Sequence, residues 1–508
     1  MNLFTRSFSF LTLALCAIAA AACSSTTQQQ AASPQAAARR PNIIVIMADD
    51  HAAHAISCYG SIINKTPGID RLAREGMRFT NCVCENSLCS PSRAAILTGK
   101  YSSANGVPDL SSPLPRNQII FPNLLAAAGY QTAVIGKWHL HRNPTGFDHF
   151  DVFPDQGDYY DPMMISGGAD GQGTRTKSTG YATDIVTDKS IDWLKHRDQG
   201  KPFMLLCWHK APHRPWIPKR GETPVGLAES DDIPTPPTFD DDYATRSDAA
   251  RRQTMSIAKD LNAEDLKQPI PSSLTGEELK RWKYERFIKD YLRCVATLDD
   301  NVARLLGYLD SSGLSEDTIV VYTSDQGFYL GDHGWYDKRF MYEEALRMPL
   351  LVRYPGHVQP GTVCGSPVVN IDFAPTLLDL VGVAAPSGKD AMQGVSIRLL
   401  LEGRTPSDWR TATYYHYYEA GPPHNVTPHY GVRTDRYKLI YFLAPVNAWE
   451  LYDLQADPRE LHNRYGEPGY EAITVDLAAQ LNRLRAQYNE HDAAQTASPQ
   501  APKPSAPK

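Results

Sequence analysis

Five short apolar runs constrain this chain more than any other feature, because four of them stop on a polar cluster. The first, Asn42 to Met47, ends at Asp49-Asp50-His51. Gln131 to Ile135 leads into Lys137-Trp138-His139, Phe203 to Cys207 into His209 and His213, and Thr318 to Thr323 into Asp325-Gln326. Pro349 to Val352 is a fifth run of the same texture. Runs this short and this apolar read as strands buried on both faces, as in a parallel sheet. Helical patterns lie between them at Ile69–Glu75, Ser92–Leu97, Phe121–Ala128, Thr183–His196 and Gly276–Leu309. The alternation implies an α/β fold, a large mainly parallel sheet sandwiched by helices. Ligands of such sheets collect at the carboxyl ends of the strands, so these clusters point to one site.

The rest of the chain sorts by texture around that domain, which runs from 41 to 385. Residues 218–273 are polar and turn-rich and read as a long surface excursion near the strand-end face. Beyond Leu380, Arg410–Tyr418, Tyr430–Val432 and Tyr437–Phe442 look like short antiparallel strands, and Ile473–Asn489 like an amphipathic helix. Residues 386–490 are therefore expected to form a smaller α+β subdomain with a short antiparallel sheet, and 491–508 a disordered low-complexity tail. At the other end, Arg6, an apolar stretch from Phe10 to Ala22, and Cys23 after three alanines form a lipoprotein-type signal peptide over 1–23, followed by a flexible tether at 24–40. The apolar stretch is too short to span a bilayer comfortably. The expectation is an exported protein, in the periplasm or at the surface of a bacterium, touching the membrane only through a lipid on Cys23. A formal charge of −6 gives no bulk attraction to nucleic acid, so an anionic substrate must be met by local cations. Nine cysteines in 508 residues are too few for a disulfide scaffold.

The most specific string is Cys89-Ser90-Pro91-Ser92-Arg93. Pro91 suits a first helical turn, which sets Cys89 just before a helix N-terminus where negative charge is favoured, with Arg93 one turn on. With this string the chain resembles the type I, formylglycine-dependent sulfatase family of the alkaline-phosphatase-like superfamily, in its carbohydrate sulfatase branch. Cys-x-Pro-x-Arg is that family's signal for oxidising the cysteine. Asp49-Asp50, Gly136-Lys137-Trp138-His139, Asp325 with Gly327, and Leu451-Tyr452-Asp453-Leu454 with Asp457-Pro458 follow the family order, over roughly Pro41 to Asn489.

The resemblance implies a sulfuric ester hydrolase acting on a sulfated polysaccharide or oligosaccharide. It implies that a formylglycine-generating or sulfatase-maturing enzyme converts Cys89 to formylglycine (3-oxoalanine). Water attacks sulfur poorly; a hydrated aldehyde offers one hydroxyl to attack and a second whose deprotonation expels sulfate. The same resemblance gives one Ca²⁺ to Asp49, Asp50, Asp325 and the diol at residue 89, with Gln326 where the family more often has Asn or His. It assigns Arg93 to the diol, Lys137 and Lys338 to the sulfate, His139 to the proton whose removal releases sulfate, and His213 to the leaving alcohol. His209 has no family match and reads as a structural histidine, Arg339 as a salt-bridged neighbour, and His333 as a substrate contact. Tyr414–Tyr418 and His424–His429 either line the sugar site or form a half-buried aromatic strand. Two further readings stay open: a phosphodiesterase or phosphonate monoester hydrolase of the same superfamily, and a non-catalytic glycan-binding surface lipoprotein.

Overall fold

A computed structural model of the chain describes residues 40–221 and 232–490. The signal segment with Cys23, the tether up to residue 39 and the tail from 491 lie outside the described residues. Ten strands make one sheet. In chain order they are β1 (Asn42–Ala48), β2 (Met77–Phe79), β3 (Gln131–Gly136), β4 (His149–Val152), β5 (Met163–Gly167), β6 (Gly173–Lys177), β7 (Phe203–Trp208), β8 (Thr318–Ser324), β9 (Leu350–Arg353) and β10 (Thr362–Cys364). Their spatial order is β10-β2-β9-β8-β1-β7-β3-β4-β5-β6. The centre, β8-β1-β7-β3-β4, is parallel throughout. Beyond it β9 pairs antiparallel with β8, and β5 antiparallel with β4. The apolar run at Pro349 to Val352 is thus a buried strand of the opposite sense, a difference that side-chain texture does not encode because burial on both faces is the same either way.

Alternating side chains of β1 explain the layers. Ile43, Val45 and Met47 enter a core on one face, Ile44, Ile46 and Ala48 a core on the other. Helices α1 (Pro67–Glu75), α2 (Cys89–Thr98), α3 (Phe121–Ala127), α4 (Ala182–His196) and α5 (Gly276–Ser311) fall within a residue to three of the expected helical patterns. The second face is covered by α1, α4 and α5, the first by α2 and α3. Of the 218–273 segment expected on the surface, residues 232–273 are built in, burying Ile233, Phe239, Met255, Ile257, Leu261 and Leu266.

At the C-terminus β11 (Ala412–Tyr417), β12 (His429–Thr434), β13 (Tyr437–Phe442) and β14 (Ala448–Asp453) form an antiparallel sheet in that order, packed against α6 (Glu471–Gln487). Its inner face, Tyr414, Val432, Leu439 and Leu451 among others, belongs to the same core as the first face of the large sheet. Buried charges fasten the two. Glu343 takes both Arg433 (2.7 and 2.9 Å) and Lys438 (2.9 Å), and Lys438 also takes Glu460 (2.6 Å). Glu343→Ala removes the carboxylate partner of Arg433 and one of the two on the fully buried Lys438, and is expected to lower the unfolding free energy by about 3 kcal/mol, read as a shifted denaturant midpoint. An unchanged midpoint would mean that the two sheets are not held by this network.

Candidate active site

Strand register builds the site. Ala48 of β1 pairs with Ser324 of β8, and Gly136 of β3 with Trp208 of β7, so Asp49, Asp325, Lys137 and His209 all emerge at one edge. Backbone bonds lock the exits: Asp325 N–H donates to Ala48 O (3.2 Å), Lys137 N–H to Trp208 O (2.7 Å) and His209 N–H to Met47 O (2.8 Å). Gly136 has φ +110°, and a Cβ there would meet Trp208 O at 1.9 Å, so only glycine lets β3 turn Lys137 inward. Asp50 and His139 hold left-handed backbone (φ 64° and 54°), uncommon for non-glycine residues and concentrated at functional sites.

Onto this edge α2 delivers Cys89 as its first residue. The thiol lies 3.4 Å from Asp49 Oδ1 and 3.9 Å from Lys137 Nζ, at 1 % exposure. Arg93, one turn on, braces the carboxylates rather than the thiol. Its guanidinium donates to Asp325 Oδ2 (Nε 3.1 Å, Nη2 2.9 Å), reaches Asp49 Oδ2 (3.2 Å) and the Lys137 carbonyl, and lies over the Trp208 ring. Lys137 pairs with Asp49, and Lys338 with both oxygens of Asp50 (2.6 and 2.8 Å).

Three carboxylates and three cations thus share a dry pocket. Burial opposes charge on Asp49, but Lys137, His213, Arg93 and Lys338 outweigh it and hold its pKa well below the ordinary value. Asp50 goes the other way, to about 7, because burial and three acidic neighbours, Asp49, Asp325 and Asp337, overcome Lys338. Burial and Asp49 likewise raise Asp325. Asp49, Asp50 and Asp325 each bring an oxygen within 4.8 Å of the others. Gln326 donates its amide to Asp50 and leaves its buried Oε1 without a partner. Carboxylate and amide oxygens, one of them unsatisfied, fit a hard divalent cation.

Two histidines flank the cluster. His213 sets Nδ1 on the Arg214 carbonyl (2.7 Å), so that nitrogen carries the proton and Nε2 faces Asp50 Oδ2 at 3.7 Å. Burial, then Lys137, keeps its pKa well below the ordinary value. The ring of His139 meets Ser90 Oγ (3.4 Å) at Nδ1, and Asp155 Oδ1 and Gln156 Nε2 (3.1 Å each) at Nε2. It makes no hydrogen bond to Cys89 among the described residues.

The remaining expectations separate here. His209 touches Cys207 Sγ (3.5 Å) and none of the carboxylates, as a structural histidine does. His209→Ala is expected to keep kcat within about fivefold, the loss falling on stability instead, and a collapse of kcat would move the residue into the site. His333 is not at the substrate. It is fully buried, with Nδ1 on Asp241 (2.8 Å) and Nε2 facing Glu344 (3.6 Å), walled by Tyr329, Trp335 and Tyr342. Its sequence position shortly after β8 and Asp325 misleads because a three-residue helical turn over Asp332–Gly334 turns the ring into the core. Arg339 is salt-bridged as expected, to Asp337 (3.0 Å) and Glu419 (2.7 Å), and His424 Nε2 stands 3.8 Å from Asp337. Of the aromatic stretch, Tyr414, Tyr415 and Tyr417 are buried in β11, while Glu419 and His424 reach the rim beside Lys338. Asp155, Gln156 and Lys210 also stand at the site, Lys210 donating to the Gln156 carbonyl (3.2 Å). Asp155 and Gln156 follow β4, whose four residues are too short and too polar to signal a buried strand.

With the geometry in place, the comparisons with known proteins are specific. A sulfatase family model matches residues 41–383, and an N-sulphoglucosamine sulphohydrolase C-terminal model matches 331–487. An N-acetylglucosamine-6-O-sulfatase of Bacteroides thetaiotaomicron is 44 % identical over 492 residues, covering 88 % of this chain and 86 % of that protein. A solved structure in complex with its substrate D-glucosamine-2-N,6-O-disulfate is 43 % identical with a TM-score of 0.85, covering 90 % of this chain and 100 % of that one. The phosphonate monoester hydrolase of Agrobacterium radiobacter shares the fold alone, at 21 % identity and TM-score 0.70, covering 88 % of this chain and 96 % of its own.

Proposed function

This chain belongs to the sulfatase family, and we propose that within it the protein hydrolyses the 6-O-sulfate ester of a glucosamine or N-acetylglucosamine unit in a sulfated glycan. The substrate is supported by a curated match at 44 % identity named for 6-O-sulfate removal and by a solved structure at 43 % identity that holds a 6-O-sulfated glucosamine. The observation that carries the reaction is the position of Cys89 at a helix N-terminus between Asp49 and Lys137.

In the proposed mechanism residue 89, oxidised to formylglycine and hydrated, supplies one hydroxyl able to attack sulfur and another whose deprotonation releases sulfate. A Ca²⁺ held by Asp49, Asp50, Asp325 and Gln326 would supply positive charge at that hydroxyl and at a sulfate oxygen. Arg93, fixed on Asp325, keeps the carboxylates oriented. Lys137 and Lys338 bring the charge that an incoming sulfate needs, in a site dry enough to make each contact strong. His213 presents Nε2 to the leaving oxygen. Its depressed pKa rises when an anion sits beside it, which favours the protonated ring that an alkoxide requires. His139, within reach of Ser90 and of Lys137's charge, takes the proton at the release step.

Maturation by a formylglycine-generating or sulfatase-maturing enzyme, export, and lipid anchoring at Cys23 belong to the same proposal. Their support is the Cys-x-Pro-x-Arg string and residues 1–39, read as sequence. The test is kcat/KM for 6-O-sulfated N-acetylglucosamine against its 6-phosphate. A large preference for sulfate is expected; a preference for phosphate would replace this reading with the phosphoesterase one.

A further inference from the structure

His139 has a second neighbourhood besides the carboxylate cluster. A cavity of about 380 Å³ shares its wall, lined by Trp138, His141, Arg142, Asp155 and Arg175 with the histidine itself. The loop after β3 brings Arg142, the loop after β4 brings Asp155, and the hairpin of β5 and β6 brings Arg175. The buried guanidinium of the catalytic cluster and those at its rim are spoken for: Arg93 by Asp325, Arg214 by Asp265 and Arg339 by Asp337 and Glu419. Among the described residues the guanidinium groups of Arg142 and Arg175 have no hydrogen bond or ion pair, and both residues are exposed. The carboxylate between them is already engaged, Asp155 Oδ1 lying 3.1 Å from His139 Nε2. Lys177, two residues beyond Arg175 and therefore on the same face of β6, carries positive charge outward from the cavity.

A sulfated glycan is a polyanion, and this protein, at net charge −6, offers it no general attraction. Unpaired guanidinium groups lining a cavity that borders the reacting centre are therefore a local device. Their planar forks suit a carboxylate or a sulfate equally. We infer that this cavity holds an anionic group, carboxylate or sulfate, on the sugar next to the one that loses its sulfate. The inference rests on the sulfated-glycan reading above and adds a subsite to it. The enzyme then measures two charges on a chain, the one it removes and the one beside it.

The test uses the full, matured protein and four substrates: 6-O-sulfated N-acetylglucosamine alone, and linked to a neutral sugar, to a uronic acid, or to a sulfated neutral sugar. kcat/KM for the anionic-neighbour disaccharides is expected to exceed that for the neutral one by about tenfold, mostly through KM, the scale of two charge-assisted contacts at a partly exposed site. The double variant Arg142→Gln/Arg175→Gln should bring that ratio close to one. Preference for only one of the two anions, lost in the variant, names the group that the cavity reads. A wild-type ratio near one, or a ratio unmoved in the double variant, would overturn the subsite while leaving the sulfatase reading intact. Failure to release sulfate from any of the four would take down the glycan reading and the subsite with it.

Discussion

Cys89→Ala is expected to lower kcat for sulfate release by about 10⁴-fold or more, with little change in the denaturation midpoint. The side chain is small and lies at a helix start, so its loss leaves a minor cavity. The chemistry, however, has no other nucleophile in place. Asp49, Asp50 and Asp325 are held by Lys137, Lys338 and Arg93, and the nearest hydroxyl, Ser90 Oγ, is committed to the His139 carbonyl (2.7 Å). Nor does the unmodified thiol serve: burial and Asp49 push its pKa far up, against the pull of Lys137, so it stays protonated near neutrality. A mass-spectrometric control separates nucleophile from structure. The tryptic peptide from Phe79 to Arg93 contains Cys82, Cys84 and Cys89, all free and buried. In active protein two of them should alkylate after denaturation and the third should instead react as an aldehyde. Three alkylated thiols in a fully active sample would remove formylglycine from the mechanism.

Exhaustive chelation is expected to cost about a hundredfold or more in kcat/KM, with Ca²⁺ restoring it. Three carboxylates this close and this buried repel one another unless positive charge is shared among them. Asp49, Asp50 and Asp325 are at 0 to 1 % exposure, and Lys137, Lys338 and Arg93 pair with them. Burial and the neighbouring carboxylates raise the Asp50 pKa to about 7, and a divalent cation bound there would favour its ionised form. Gln326 adds a readout that does not depend on turnover. Its unpartnered Oε1 predicts that Gln326→Ala weakens Ca²⁺ binding by about ten- to a hundredfold in calorimetry of the substrate-free protein. A chelated, metal-free enzyme of full activity would exclude the ion; unchanged affinity in the variant would exclude Gln326 alone.

Five of the ten strands, β1, β3, β7, β8 and β9, were legible as short apolar runs and the five main helices by their period, while the polar strand ends were legible because a parallel sheet gathers them whatever their spacing in the chain. Asp49, Lys137 and Asp325 meet for that reason, across 276 residues from first to last, and Cys89 joins them at the head of α2. What stayed hidden follows from the limits of texture. The sense of β9 leaves no mark in its side chains, and β4 is too short to announce Asp155 and Gln156. β14 was visible only as a motif, Leu451-Tyr452-Asp453, without its role as fourth strand of the small sheet. His333 went astray because a ring at the right sequence position turned inward onto Asp241. One helical turn of spacing placed Arg93 beside Cys89 but could not show that its guanidinium also braces Asp325 and Asp49.

All ten residues of α2 are buried, and Cys89 at its head is closed off with them. A maturing enzyme has to grip the backbone on both sides of its target, and this helix offers neither side once the sheets have closed over it. The oxidation proposed for Cys89 therefore has a deadline, set by how quickly the chain buries its core. If residue 89 is matured as proposed, maturation and folding would run as competing clocks on each new polypeptide. Two preparations of identical sequence, made at different rates of synthesis or with different supplies of the maturing enzyme, would then differ in the fraction of molecules able to turn over, and no later treatment of the folded protein would make up the difference.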